Sequence, residues 1–238
     1  MHLRYFYLFI FITLFSSVFS FGFSEKTPFL NNQKKVSSNS SNTSLSHLPS
    51  SNIITAKKDK NTGFCLYFTG LSASGKSTLV QALKEKMLKQ DPNQVITILD
   101  GDEIRENISP ELGFSKKDRS LNVRRIGYIA SLIAKHGGIC LCANIAPYDE
   151  DRQLNREKIS QNGQYIEIYV DTPIKVCEQR DPKGLYKLAR AGKIKEFTGI
   201  SDPYETPNNS EIHLNGAKNI DSNLEEILTY LQSRKLYP

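Results

Sequence analysis

The chain of 238 residues contains no tryptophan, two methionines, four histidines and four cysteines. The cysteines, Cys65, Cys140, Cys142 and Cys177, show no C-x-x-C pair and have no second ligand pair beside them, so the spacing argues against a zinc ribbon or a disulfide framework. They read instead as small buried hydrophobes. Acidic residues are nearly missing from residues 1–58, where Glu25 stands against six Lys and Arg. That leader carries most of the formal charge of +6 and leaves the remainder near neutrality at +1. A basic footprint must sit on the domain that would bind, so nucleic acid is not expected as a partner.

The leader divides in two. Residues 1–23 hold a charge-free apolar run from Tyr5 to Phe23 behind His2 and Arg4, which suits a long signal-peptide core or a short membrane anchor. Val18 and Ser20 would suit cleavage before Phe21. Residues 24–60 are rich in Ser, Asn and Lys and too polar to fold alone. A signal-like stretch, a Phe and a transit-like stretch in this order resemble the two-part presequences of complex plastids. The alternatives are a secreted protein with a polar tail or a membrane-anchored one. Membrane contact is expected only through this leader.

From residue 61 to 238 the pattern alternates. Apolar runs at Phe64–Thr69, Val95–Leu99, Ile139–Ala143 and Tyr165–Val170 read as strands separated by helical segments, which predicts an α/β fold with a parallel sheet covered on both faces. Ser115 with Asp118 forms a helix-start signal ahead of the apolar stripe Val123, Ile126, Ala130, Ile133 and Ala134, and Gly137-Gly138 stops it. Thr172-Pro173 reads as a cap followed by a first-turn proline. The stretch 181–207 holds three prolines and many charges and reads as a mobile excursion outside the core; a last helix is expected over Leu224 to Ser233.

One motif carries chemistry by itself. Gly70-Leu71-Ser72-Ala73-Ser74-Gly75-Lys76-Ser77 matches G-x-x-x-x-G-K-[ST], follows a strand and opens a helix at Thr78. Loop amides and the helix N-terminus converge on phosphates, Lys76 reaches the terminal ones, and the Ser77 hydroxyl takes a place on Mg²⁺. This makes the domain a P-loop NTPase-type fold that binds ATP or GTP. No Asn-Lys-x-Asp guanine signature is present, which favours a small-molecule kinase over a GTPase. The loop leaves the acceptor open.

Further motifs narrow it: Asp100-Gly101-Asp102 with Arg105, Leu112-Gly113-Phe114, Asp118-Arg119 and Asn122, Ile145-Ala146-Pro147-Tyr148, Asp181-Pro182-Lys183-Gly184-Leu185-Tyr186 and Phe197-Thr198-Gly199-Ile200. In this order and spacing the chain resembles the adenylyl-sulfate kinases from about Gly63 to Leu214. The resemblance implies transfer of the γ-phosphate of ATP to the 3′-hydroxyl of adenosine 5′-phosphosulfate (APS), giving PAPS. It implies that Arg105, Arg119 and Asn122 bind APS, that Phe114 and Phe197 sandwich its adenine, and that Ile145 and Ala146 lie beside it. It places Asp102 at the attacking hydroxyl, as base or orienting group, with Asp100 nearer the metal. Lys183 belongs to the family's lid, and Arg180 stacks on the ATP adenine. A homodimer and a link to ATP sulfurylase, which supplies APS, follow from the same resemblance.

Two positions depart from the family. Ala146 stands where many relatives have a serine labelled as a phosphoenzyme nucleophile, so transfer here has to be direct and in line. Asp149 replaces the usual Arg after the tyrosine and removes a positive charge expected near the acceptor. Together they would also suit a catalytically weak partner module of ATP sulfurylase, against which the retained Lys76, Ser77, Asp102 and Arg119 argue; a separate alternative is another small P-loop kinase, for sugar or nucleotide, sharing only the fold. The regulatory N-terminal cysteine of plant relatives has no counterpart before Cys65.

Overall fold

The computed structural model describes residues 63–238; the two leader segments lie outside the described residues. Five parallel strands form one sheet in the order β2-β3-β1-β4-β5, with β1 Phe64–Thr69, β2 Ile96–Asp100, β3 Ile139–Ala143, β4 Gln164–Asp171 and β5 Ile212–Asn215. Alternate residues of β1 serve two cores. Phe64, Leu66 and Phe68 pack with Leu79, Val80, Leu83 and Met87 of α1 (Lys76–Gln90) and Leu224, Ile227 and Leu231 of α7 (Ile220–Ser233). Cys65 and Tyr67 pack on the other face with Val123, Ile126, Ala130 and Ala134 of α3 (Lys116–Lys135) and Ile159 of α4 (Asp149–Ser160). Helices therefore cover both faces, as parallel strands require.

Local chemistry explains the helix boundaries. The Ser115 hydroxyl accepts from the Asp118 amide at 3.2 Å and donates to its carboxylate at 2.9 Å, starting α3. Gly137 and Gly138 close it by donating back to Ala134 and Ile133. Midway, Gly127 lets α4 approach: a Cβ there would come within 1.9 Å of Asn155, whose amide donates to the Val123 carbonyl and the Tyr67 hydroxyl.

Five expectations are corrected. The fifth strand, β5, is added to the four foreseen, and the second is displaced by one residue to Ile96–Asp100. Helix α7 begins at Ile220, capped by the Asn219 side chain, four residues before the expected start. Thr172 does not cap the helix α5 (Ile174–Arg180); its hydroxyl donates to the Ser74 carbonyl of the phosphate loop at 2.8 Å. Finally, the stretch 181–207 is not wholly outside the core. It contains α6 (Leu185–Arg190), and Tyr186, Ala189 and Phe197 join Cys177 in a third buried cluster.

The four cysteines are free thiols. Parallel register sets Cys65 beside Cys140, and the sulfurs of Cys65 and Cys140 lie 3.6 and 3.5 Å from that of Cys142. Chain spacing gave no sign of this trio, since Cys65 reaches it through strand pairing. Burial pushes the Cys65 and Cys142 thiols up, which keeps them protonated among apolar neighbours.

Candidate active site

The site lies at the carboxyl ends of β1, β2 and β3, where the connection after β1 crosses to β2 and the chain later returns to β4 on the other side of β1. That reversal opens the crevice in which such sheets bind ligands. Its phosphate loop leaves β1 at Gly70 and enters α1 through Gly75, whose φ of 108° is a left-handed conformation that favours glycine. The Lys76 amine turns back on the loop, donating to the carbonyls of Gly70 and Leu71 at 2.9 and 2.7 Å and to the Ser74 hydroxyl at 3.3 Å. Burial lowers its pKa from 10.5 to about 8, against the opposing pull of Cys177, Asp100 and Asp102.

That depression predicts a proton uptake. Phosphate oxygens near the amine favour its charged form, so a triphosphate complex holds more protons than the free protein at pH 8–9. Titration calorimetry with ATP at pH 8.5, in buffers of different ionisation heat, is expected to show uptake on the order of half a proton. At pH 6.5, where Lys76 is already charged, this contribution disappears.

Two aspartates on adjoining elements do different work. Asp100 ends β2 and caps α2 (Gly101–Asn107): one oxygen accepts from the Asp102 amide at 2.9 Å, the other from the Ser77 hydroxyl at 2.7 Å. Ser77 and Asp100 thus present hard oxygen ligands side by side at the end of the phosphate loop, a donor set that suits Mg²⁺. Asp102 caps nothing. Its carboxylate projects into solvent and, among the described residues, meets only the Lys183 amine, at 2.5 Å, from the segment following α5.

Opposite the loop, two arginines converge. Arg105 donates to the carbonyls of Leu112 and Gly113 and lies over the Phe114 ring, 4.8 Å from its centroid. Arg119 is buried; it donates to the Phe114 carbonyl at 2.7 Å and to the Thr198 hydroxyl and Glu196 carbonyl. Burial first and the Arg119 charge second lower the pKa of Arg105, a repulsion that an anionic ligand would relieve. Asn122, one turn along α3 from Arg119, is buried and leaves its side-chain oxygen without a partner among the described residues. Phe114 is 62% exposed, whereas Phe197 is buried edge-on against Tyr186 with centroids 5.0 Å apart.

These groups line one cavity of about 890 Å³. It brings together Ser72 to Thr78 of the loop, Asp100, Asp102, Arg105, Phe114, Arg119, Asn122, Ile145, Ala146, Arg180, Lys183 and Phe197. Gly70 and Leu71 are not at its wall; their carbonyls hold Lys76, and the Leu71 side chain packs on the third cluster. Arg180 is pinned by the carbonyls of Ala73, Ser74 and Gly216 at 3.3, 3.1 and 2.8 Å, a fixed plane at the donor end. Asp149 is turned away from the cavity to pair with Arg152 at 3.0 Å, so its charge is partnered. Sequence reasoning missed Gly216, Lys218 and Asn223 at the wall, and Thr198 as the anchor of Arg119. The alternation Ile212-His213-Leu214-Asn215 before Gly216 was the available signal for the first group.

A phosphate loop, a neighbouring metal-type oxygen pair and an anion-binding arginine pair, all facing one cavity, define a P-loop kinase. The family is fixed by comparison. The adenylylsulphate kinase family profile matches residues 62–215. Adenylyl-sulfate kinases of Shigella flexneri and Escherichia coli K12 are each 45% identical over 174 residues, 73% of this chain and 85% of theirs. The Mycobacterium tuberculosis APS kinase, solved with AMPPNP and APS, superposes with a TM-score of 0.68 at 40% identity, covering 72% of this chain and 98% of that one. A hexameric APS kinase from Thiobacillus denitrificans superposes at 0.57 with 35% identity, covering 74% of this chain and 30% of that one. The chain belongs to the adenylyl-sulfate kinase family.

Proposed function

We propose that this protein transfers the γ-phosphate of ATP directly to the 3′-hydroxyl of adenosine 5′-phosphosulfate, forming PAPS for sulfate activation. The observation that carries this reading is the single cavity with a triphosphate loop at one end and Arg105, Arg119, Phe114 and Phe197 at the other. Both substrates are anionic nucleotides, and the arginines hold the acceptor's phosphosulfate while Lys76 and the loop amides hold the donor. Asp102 faces the acceptor hydroxyl and orients it or takes its proton. Lys183, now on Asp102, belongs to the lid segment whose closure excludes water that would hydrolyse ATP.

Ser77, with Asp100 beside it, would hold Mg²⁺, which would supply neutralisation of charge on the transferring phosphate. Ala146 supports direct transfer: it lies at the cavity wall without a hydroxyl to accept phosphate. Incubation of residues 59–238 with ATP, Mg²⁺ and APS is expected to give PAPS, and excess EDTA is expected to stop it. Folded, ATP-binding protein that makes no PAPS would overturn the reading.

We extend the reading to a plastid destination through the two-part leader, and to a homodimer linked functionally to ATP sulfurylase. Assembly is supported by the hexameric relative. A fluorescent fusion of residues 1–60 tests the destination: signal in the secretory pathway or at its membranes would replace it.

A further inference from the structure

Arg152 is fully buried, yet it does not reach the cavity. Its three nitrogens have separate tasks. One Nη donates to the Ala146 carbonyl at 2.9 Å, the other to the exposed Asp149 carboxylate at 3.0 Å, and Nε lies 3.0 Å from the buried Glu167 carboxylate on β4, an ion-pair contact without hydrogen-bond geometry. Glu167 in turn pairs with Arg156, which Glu211 also holds. The network ends on a backbone carbonyl of the loop that follows β3. That loop is where Ile145 and Ala146 form the cavity wall.

Ala146 has φ of 42°. An alanine in the left-handed region is disfavoured on the order of tenfold relative to its relaxed conformers, so something must hold it there. The Thr69 hydroxyl fixes the preceding Ile145 carbonyl at 2.6 Å, and the Glu205 amide fixes the following Pro147 carbonyl at 2.8 Å. At Ala146 itself the short contact is the Arg152 bond; Thr69 is more distant at 3.4 Å. A buried ion pair is a poor device for stability alone, because an apolar replacement of both partners is often as stable. A guanidinium that spans a strand carboxylate and a strained loop carbonyl serves geometry instead.

We propose that Arg152, set by Glu167, is a positioning residue for the acceptor side of the site: it holds Ala146 left-handed and so shapes the wall against which adenylyl sulfate rests. The inference rests on the reading of adenylyl sulfate as the acceptor. The donor loop is built from other contacts, so the effect is confined to one substrate.

The test is the double variant Arg152→Met with Glu167→Met, which removes both charges and leaves Arg156 its partner Glu211. The KM for adenylyl sulfate is expected to rise about tenfold, while the KM for ATP stays within about twofold. Adding Ala146→Gly, which adopts positive φ without a Cβ penalty, is expected to recover part of the loss. The milder Arg152→Lys, whose single amine cannot serve all three partners, keeps a charge beside Glu167 and is expected to show the same split if the double variant does not fold. Hydrogen exchange of peptides covering 144–148 is expected to quicken in either variant with no substrate present. Unchanged exchange, or both KM values rising together, overturns the proposal. Wild-type protein that makes no PAPS overturns the acceptor reading instead, and the exchange result still judges the loop.

Discussion

Asp102→Asn is expected to lower kcat for PAPS formation by roughly 10²- to 10⁴-fold, the usual worth of a positioned acid or base, while the Kd for ATP moves less than about twofold. The expectation depends on the division of labour between the two aspartates. Asp100 caps α2 and binds Ser77, so the helix and the loop keep their anchor when Asp102 changes. Among the described residues Asp102 has a single side-chain partner, Lys183, and both are well exposed. Its removal therefore breaks no buried interaction. Single-turnover kinetics beside ATP titration separates the outcomes: loss of ATP affinity together with turnover would mean that Asp102 is structural.

Lys76→Met is the second large effect. Removing one preorganised charge from the transferring phosphate is expected to cost on the order of 10²- to 10³-fold in kcat. Stability moves the other way. Because the folded, ligand-free state lowers the Lys76 pKa from 10.5 to about 8, it binds that proton less tightly than the unfolded chain does. The resulting penalty is present below pH 8 and fades as pH rises from 8 to 10.5. Methionine carries no such penalty, so at pH 7 the variant is expected to melt no lower than the parent. Thermal melts at pH 7 and pH 10 check the sign: a variant that melts clearly lower at pH 7 would show the curled lysine to be a net stabiliser of the loop.

Much of this site was legible before any coordinates. The strand-loop-helix context of Gly70 to Ser77, the apolar stripe of α3 and its Ser115 start are local signals, each contained in a few turns of chain. What escaped was set by distance or by weak pattern. The four-residue β5 leaves His213 and Asn215 exposed, too short a run to stand out beside the fully buried β3. Thr172 looked like a cap because Thr-Pro commonly starts helices, but the Ser74 carbonyl across the loop offered a better partner. The stretch after Arg180 looked uniformly polar, while Tyr186 and Phe197 within it meet edge to face. The role of Arg152 escaped because its partner Glu167 lies on β4, one buried carboxylate among apolar neighbours.

The central claim is that the phosphate held by Lys76 and the loop passes in one step to the 3′-hydroxyl of adenylyl sulfate across the shared cavity. The most direct measurement uses ATP made chiral at its γ-phosphorus with oxygen isotopes, with adenylyl sulfate as acceptor and stereochemical analysis of the 3′-phosphate of the product. A single in-line displacement predicts PAPS with inverted configuration at phosphorus. Retention would reveal a phosphorylated enzyme intermediate on a residue other than Ala146, and PAPS that never forms would contradict the assignment of the acceptor itself.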